Sequence, residues 1–211
     1  MKKVAVSIHA TENFNPKIME GLVGFDYIHV DIMDGKYVNN KNDNLKVIRV
    51  LRGIYKTPII VHLMVINPIS YIKKIHDSSD FFIFHFENDI NIEDILEEVK
   101  KLNKKAGIAL NPETEVSEIV PYLKKVDLVL VMSVKPGFSG QKFIPLAIKK
   151  VNQLAKIKDK YKFIIDIDGG INLTNAKLLR NTDILTSSSS ILNSKFPNRT
   201  IQLLKESDEN D

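Results

Sequence analysis

The chain has 211 residues, 44% hydrophobic and 27% charged, with 30 basic and 26 acidic side chains giving a formal net charge of +4. This balance suits one globular domain able to bury a sizeable core; the absence of cysteine excludes disulfides and thiolate metal sites. No apolar run approaches the ~20 residues of a membrane span, and the lysines sit on helical faces without interleaved aromatics or a nucleic-acid-binding motif.

"MKKVAVSIHA" turns polar too early for a signal peptide. The expected setting is therefore the cytoplasm, with neither membrane nor nucleic acid as a partner. In chain order, short runs rich in β-branched and aromatic residues read as strands buried on both faces. They are "KVAVSI" (3–8), "YIHVDIM" (27–33), "PIIVHLM" (58–64), "DFFIFHF" (80–86), "AGIAL" (106–110), "VDLVLVM" (126–132), "KFIIDID" (162–168) and "TDILTS" (182–187).

Helical periodicity fills the intervals, as in 91–105, where Ile92, Ile95, Leu96, Val99 and Leu102 share a face, and in 143–161. Residues 36–44, "KYVNNKNDN", read as a long loop, and the acidic end 206–211 as a frayed tail. Eight strand–helix units over residues 1–205 predict a single-domain (β/α)8 barrel. An open doubly wound sheet would have the same periodicity.

In such barrels chemistry gathers at the C-terminal ends of the strands. Ser7 ends the first strand, and His29, Asp31 and Met33 alternate along one face of the second. His62 and Met64 end the third, Met132 and Ser133 the sixth, and Asp166 and Asp168 the seventh. The set of His29, Asp31, His62 and Asp168 makes a plausible site for one divalent ion: Zn2+, Fe2+, Mn2+ or Co2+. His85 ends the fourth strand without an equally placed partner and reads as structural or as support for that set.

Two glycine loops lead into helices, "KPGFSGQKF" (135–143) and "DGGIN" (168–172). Glycine lets backbone N–H groups approach an anion there, and "SSSS" (187–190) adds donors, so a phosphate is expected. Met33, Met64 and Met132 either fill the top layer or wall a delocalised anionic intermediate without competing for its protons.

The stretches "HVDIMDG", "HLMV", "LNPETEV", "LVMSVKPGFSGQKFIP" and "DIDGGIN" closely resemble the ribulose-phosphate 3-epimerase family, in order and spacing from Lys3 to Leu192. The resemblance implies a barrel of the ribulose-phosphate-binding type and a divalent metal. It also implies inversion at C3 between ribulose 5-phosphate and xylulose 5-phosphate, in the pentose phosphate pathway. His29, Asp31, His62 and Asp168 then match metal ligands, with Asp31 the proton acceptor and Asp168 the proton donor.

Ser7, His62 and the three methionines match substrate contacts. The loop Gly137, Phe138, Ser139 and Gly140, with Gly169, Gly170, Ser188 and Ser189, matches the phosphate site. A homo-oligomer is implied as well. The chain departs from the family where Ser188 replaces a glycine, Ser139 a glycine, Lys135 an asparagine and His9 a leucine, and along the 36–44 loop. An allulose 6-phosphate 3-epimerase, or a non-catalytic phosphate-binding barrel, would satisfy much of the same pattern.

Overall fold

Val, Ile and Phe crowd the strand runs because each strand must bury two faces, one inward and one under a helix. The computed structural model describes residues 1–138 and 140–208, with Ser139 and residues 209–211 outside the description. The strands are β1 (Lys3–His9), β2 (Tyr27–Asp34), β3 (Lys41–Asn42), β4 (Ile59–Met64), β5 (Phe81–His85), β6 (Lys105–Leu110), β7 (Leu128–Met132), β8 (Ile164–Asp168) and β9 (Ile184–Ser187).

The helices are α1 (Lys46–Ile54), α2 (Pro68–Ile75), α3 (Ile92–Lys101), α4 (Val116–Ile119), α5 (Leu146–Tyr161), α6 (Leu173–Ala176), α7 (Ser189–Leu192) and α8 (Pro197–Lys205). Each of the eight expected runs holds one parallel strand, with ends shifted by no more than two residues.

The parallel order β1-β9-β8-β7-β6-β5-β4-β2 is closed by β1 pairing with β2. Lys3 to Val6 pair with Ile184 to Ser187 on one side of β1, and Ala5 to His9 with Tyr27 to Asp31 on the other. That closure makes a barrel and rules out the open sheet. One apolar cluster, including Ile60, Ile83, Leu128 and Leu130, fills the interior. A larger one lies between strands and helices, including Ile48, Phe84, Leu96 and Val151. Fully burying each such side chain contributes about 1.5–3 kcal/mol.

Helix α3 shows why its ends fall inside the 91–105 pattern. Asn91 caps it by accepting from the Glu93 N–H at 2.9 Å, with Glu93 and Asp94 in the first turn and Lys100 and Lys101 in the last. Asn103, at φ 54°, then turns the chain into β6.

Two expectations change. The 36–44 loop is partly pinned, since β3 pairs antiparallel with Met33 and Asp34, and Asp34 accepts from the N–H groups of Lys36, Tyr37 and Ile66 at 2.8–2.9 Å. The acidic end is not free over residues 206–208: Ser207 is buried, and the buried Lys2 ammonium meets Asp208, Ser207 Oγ and the Ala176 carbonyl. A buried ammonium needs such acceptors, which holds this segment against the barrel floor.

Candidate active site

Strand register assembles the polar groups at the barrel mouth. Parallel pairing sets Asp31 beside His62 and Met33 beside Met64, Ser7 beside His29, and Met132 beside Asp168. Ser7 Oγ donates to Asp31 Oδ2 at 2.9 Å. His62 Nδ1 lies 2.9 Å from Asp31 Oδ1, and His29 Nδ1 lies 3.6 Å from the same oxygen. One donor atom from each of His29, Asp31, His62 and Asp168 falls within 4.8 Å of all the others.

His29 tests whether this set suits a metal. Its ring is fully buried, and neither nitrogen has a hydrogen-bond partner among the described residues. An unsatisfied buried polar group costs about 1–3 kcal/mol. Imidazole and carboxylate donors converging on one point supply what a divalent ion requires. Burial drives the His29 imidazole down to about 4, against the pull of Asp31, so it is neutral and free to donate a lone pair.

The two aspartates are pushed apart. Burial alone would raise Asp31, but the imidazoles of His29 and His62 outweigh it and hold its carboxyl well below the usual range. Burial, and then the charge of Asp31, raise Asp168 well above that range. One carboxyl is therefore poised to accept a proton and its neighbour to hold one.

Met33, Met64 and Met132 are buried and line the same cavity as Ser7, Asp31 and Asp168. Across it stand Gly137, Phe138, Gly140, Gly169, Gly170, Ser188 and Ser189; Ser139 lies outside the described residues. Gly169 and Gly170 have φ of 116° and 62°. A Cβ at Gly169 would come within 2.6 Å of Val134 Cγ2, and one at Gly170 within 2.7 Å of the Gln141 carbonyl oxygen.

These glycines thus let the β8 loop lie directly against the loop before α5. Ser133 Oγ locks the junction by donating to the carbonyls of Asp168 and Gly169 at 2.8 and 2.6 Å. The serine run contributes fewer free donors than expected. Ser187 Oγ and Ser190 Oγ both donate to the Ile171 carbonyl, which leaves Ser188 and Ser189 on the cavity. Ser188 has φ −112°, so its side chain carries no left-handed strain where a glycine is usual.

The structure gives several residues around the site partners that the sequence alone does not assign. His85 does have partners: its Nε2 lies 2.9 Å from His62 Nε2, and its Nδ1 lies 3.3 Å from Glu87 Oε2. The alternating "HFE" of 85–87 was the available signal, because residues two apart share a face. His9, two beyond Ser7 on β1, brings Nε2 to 3.8 Å from Asp31 Oδ2 by the same rule. Tyr37 packs its ring 5.1 Å from that of His85, and Asn40 donates to the Gly137 carbonyl at 2.7 Å. The 36–44 loop therefore spans the mouth, a path that no local pattern encodes.

The profile of the ribulose-phosphate 3 epimerase family matches residues 3–192. The ribulose-phosphate 3-epimerase of Aquifex aeolicus is 38% identical over 177 residues, covering 82% of this chain and 80% of its own length. That of Buchnera aphidicola is 37% identical over 191 residues, covering 87% and 84%. Among solved structures, 3-hexulose-6-phosphate synthase from Salmonella typhimurium superposes with a TM-score of 0.72 at 14% identity over 97% of both chains. KGPDC from Streptococcus mutans gives 0.73 at 12% identity, over 98% of this chain and 97% of its own. At these identities the structural likeness establishes the barrel fold.

Proposed function

The chain belongs to the ribulose-phosphate 3-epimerase family, and on that premise we propose that it interconverts D-ribulose 5-phosphate and D-xylulose 5-phosphate, Asp31 removing the proton at C3 and Asp168 delivering another to the opposite face. The observation that carries the assignment is the convergence of Asp31 and Asp168 with His29 and His62, one donor atom of each within 4.8 Å of the others. The buried Asp31 carboxyl is held low and the half-buried Asp168 carboxyl is raised.

In one direction the Asp31 carboxylate takes the C3 proton, and the C–H electron pair flows into the C2 carbonyl to give an enediolate. The Asp168 carboxylic acid then returns its own proton to the opposite face of C3. The reverse reaction starts with the protonation states exchanged, so either sugar phosphate is a substrate. Ser7, by donating to Asp31, orients the acceptor carboxylate. The three thioethers flank the reacting carbons without a proton to offer, so the intermediate is not quenched at the wrong atom.

His29, Asp31, His62 and Asp168 would hold one divalent ion, Zn2+, Fe2+, Mn2+ or Co2+, which when bound supplies Lewis-acid stabilisation of the developing negative charge. Backbone N–H groups of the Gly137–Gly140 and Gly169–Gly170 segments, with Ser188 and Ser189, take the phosphate and fix the sugar between the aspartates. No helix among the described residues is long and apolar enough to cross a membrane. A homo-oligomer, which the family resemblance implies, and a cytoplasmic setting, matched by the cytoplasmic isoform of Oryza sativa though not by the chloroplastic relative of Arabidopsis thaliana, complete the reading.

The test is turnover of ribulose 5-phosphate in deuterated water with added Zn2+ or Fe2+. Xylulose 5-phosphate carrying deuterium at C3 is expected. Absence of both product and label overturns the assignment, and preferential turnover of allulose 6-phosphate in competition moves it to the hexulose substrate.

A further inference from the structure

A file of buried polar side chains runs outward from the candidate metal ligands. His62 Nδ1 faces Asp31 Oδ1 at 2.9 Å, and its Nε2 faces His85 Nε2 at 2.9 Å. His85 Nδ1 faces Glu87 Oε2 at 3.3 Å. Glu87 Oε1 accepts from the Asn111 N–H at 2.9 Å and from the Thr114 hydroxyl. Both imidazoles are fully buried, and their rings lie 27° from parallel at 5.0 Å. The far end is anchored in turn, since the Lys150 ammonium donates to the carbonyls of Asn111 and Thr114.

The direction of these bonds follows from counting protons. Three links join four groups, yet two imidazoles with one N–H each bring only two protons. The shortfall disappears when a metal takes one link. A ligating imidazole nitrogen carries no proton, so the other nitrogen must. His62 Nδ1 is the atom beside Asp31, a fellow ligand, which puts the His62 proton on Nε2, donating to His85 Nε2. His85 then carries its proton on Nδ1 and donates to Glu87.

An ionised carboxylate only accepts, so the file ends there. Burial raises the Glu87 carboxyl, but the bonds from His85, Thr114 and the Asn111 N–H outweigh it, and Glu87 stays below the usual range. Reversing the file would put a proton on His62 Nδ1 and block its lone pair.

We propose that His85 and Glu87 are positioning residues that hold His62 in the single tautomer able to ligate the divalent ion. The inference rests on the reading of His29, Asp31, His62 and Asp168 as the metal set. It extends that set by two residues that never touch the ion. Losing such outer hydrogen bonds typically weakens metal binding about 10–100-fold.

Glu87→Gln is the decisive variant, because it keeps the shape and inverts the polarity. The Gln carbonyl must still accept from Asn111 and Thr114, which turns its amide N–H toward His85 Nδ1 and reverses the file. Metal-stripped wild type, Glu87→Gln, His85→Ala and His29→Ala are titrated with Co2+, followed by visible absorption, and each is melted by circular dichroism. We expect one Co2+ per wild-type chain, affinity about 10–100-fold weaker in Glu87→Gln and His85→Ala with melting preserved, and loss of binding in His29→Ala.

Affinity within twofold of wild type in both positioning variants overturns the relay. A wild type that takes up no Co2+, or an unaffected His29→Ala, overturns the metal set beneath it. Nitrogen-15 NMR of the Zn2+-loaded wild type reads the tautomer without any variant. A proton on His62 Nε2 supports the relay, and one on Nδ1 refutes it.

Discussion

On the β2–β4 side of the barrel mouth, the proposed working groups are side chains on strands: His29, Asp31 and His62, held in place by neighbour-to-neighbour register and buried. On the β7–β9 side, Asp168 apart, they are backbone segments of loops, shaped by Gly137, Gly140, Gly169 and Gly170 at positive φ and rimmed by Phe138, which is 58% exposed. In the proposed reaction the first side delivers particular atoms to a point, and the second offers a surface to the phosphate. Removing one side chain deletes chemistry, whereas adding one methyl to the other side displaces a wall. The two sides should therefore fail differently, one in turnover and the other in substrate binding.

The largest expected effect is on the reacting carboxyls. Asp31→Asn and Asp168→Asn should each lower kcat by about 10²–10⁴-fold, with melting retained. A variant with near-normal turnover would dissolve the two-carboxyl assignment. Next comes Gly170→Ala, which sets a Cβ 2.7 Å from the Gln141 carbonyl oxygen at a left-handed φ. Strain of about 1–3 kcal/mol is expected, read as a lower melting temperature and a KM raised more than kcat is lowered. An unchanged KM would mean that phosphate does not rest on this loop.

Asn40→Ala removes the bond from the 36–44 loop to the Gly137 carbonyl. The loss of about 0.5–1.5 kcal/mol should raise KM by a few-fold at constant kcat. If kcat fell instead, the loop would belong functionally to the side-chain half. The smallest effect is expected for Ser188→Gly, because Ser188 already sits at a negative φ. KM should stay within about twofold, worth less than ~0.5 kcal/mol; a tenfold improvement would show that the serine obstructs the anion.

The same contrast explains which features are legible in the sequence. The alternation His29–Asp31–Met33 is a strand period, so sharing a face followed from covalent geometry. Convergence with His62 and Asp168 followed from the common end of parallel strands. Closure followed from the count of eight units and from the family resemblance rather than from periodicity, which is indifferent to the pairing of Lys3 to Val6 with Ile184 to Ser187 at opposite ends of the sequence.

Not legible was the course of residues 36–44, where two antiparallel pairs and an Asp34 turn replace an extended loop. Ser188 puts a side chain where the family's glycine lets backbone approach phosphate, and only the dihedral shows that the backbone there is not left-handed. The partners of His85 fell between these cases. Glu87 was visible by spacing, whereas the approach of His62 from the adjacent strand depended on register.

The pairing of β1 with β9 also bears on how the protein is made. Ribosomes deliver β1 first, and its second neighbour begins 181 residues later, at Ile184. At about 5–20 residues per second, the nascent chain carries an open edge on β1 for roughly 10–40 s. Ser7 and Asp31 can meet early in that interval, because β1 and β2 are adjacent in both chain and sheet. Ring closure waits until Ile184 to Ser187 have left the exit tunnel. A chain stalled before that segment would expose a barrel-length row of unpaired N–H and C=O groups, the natural substrate of a chaperone or of a neighbouring stalled copy.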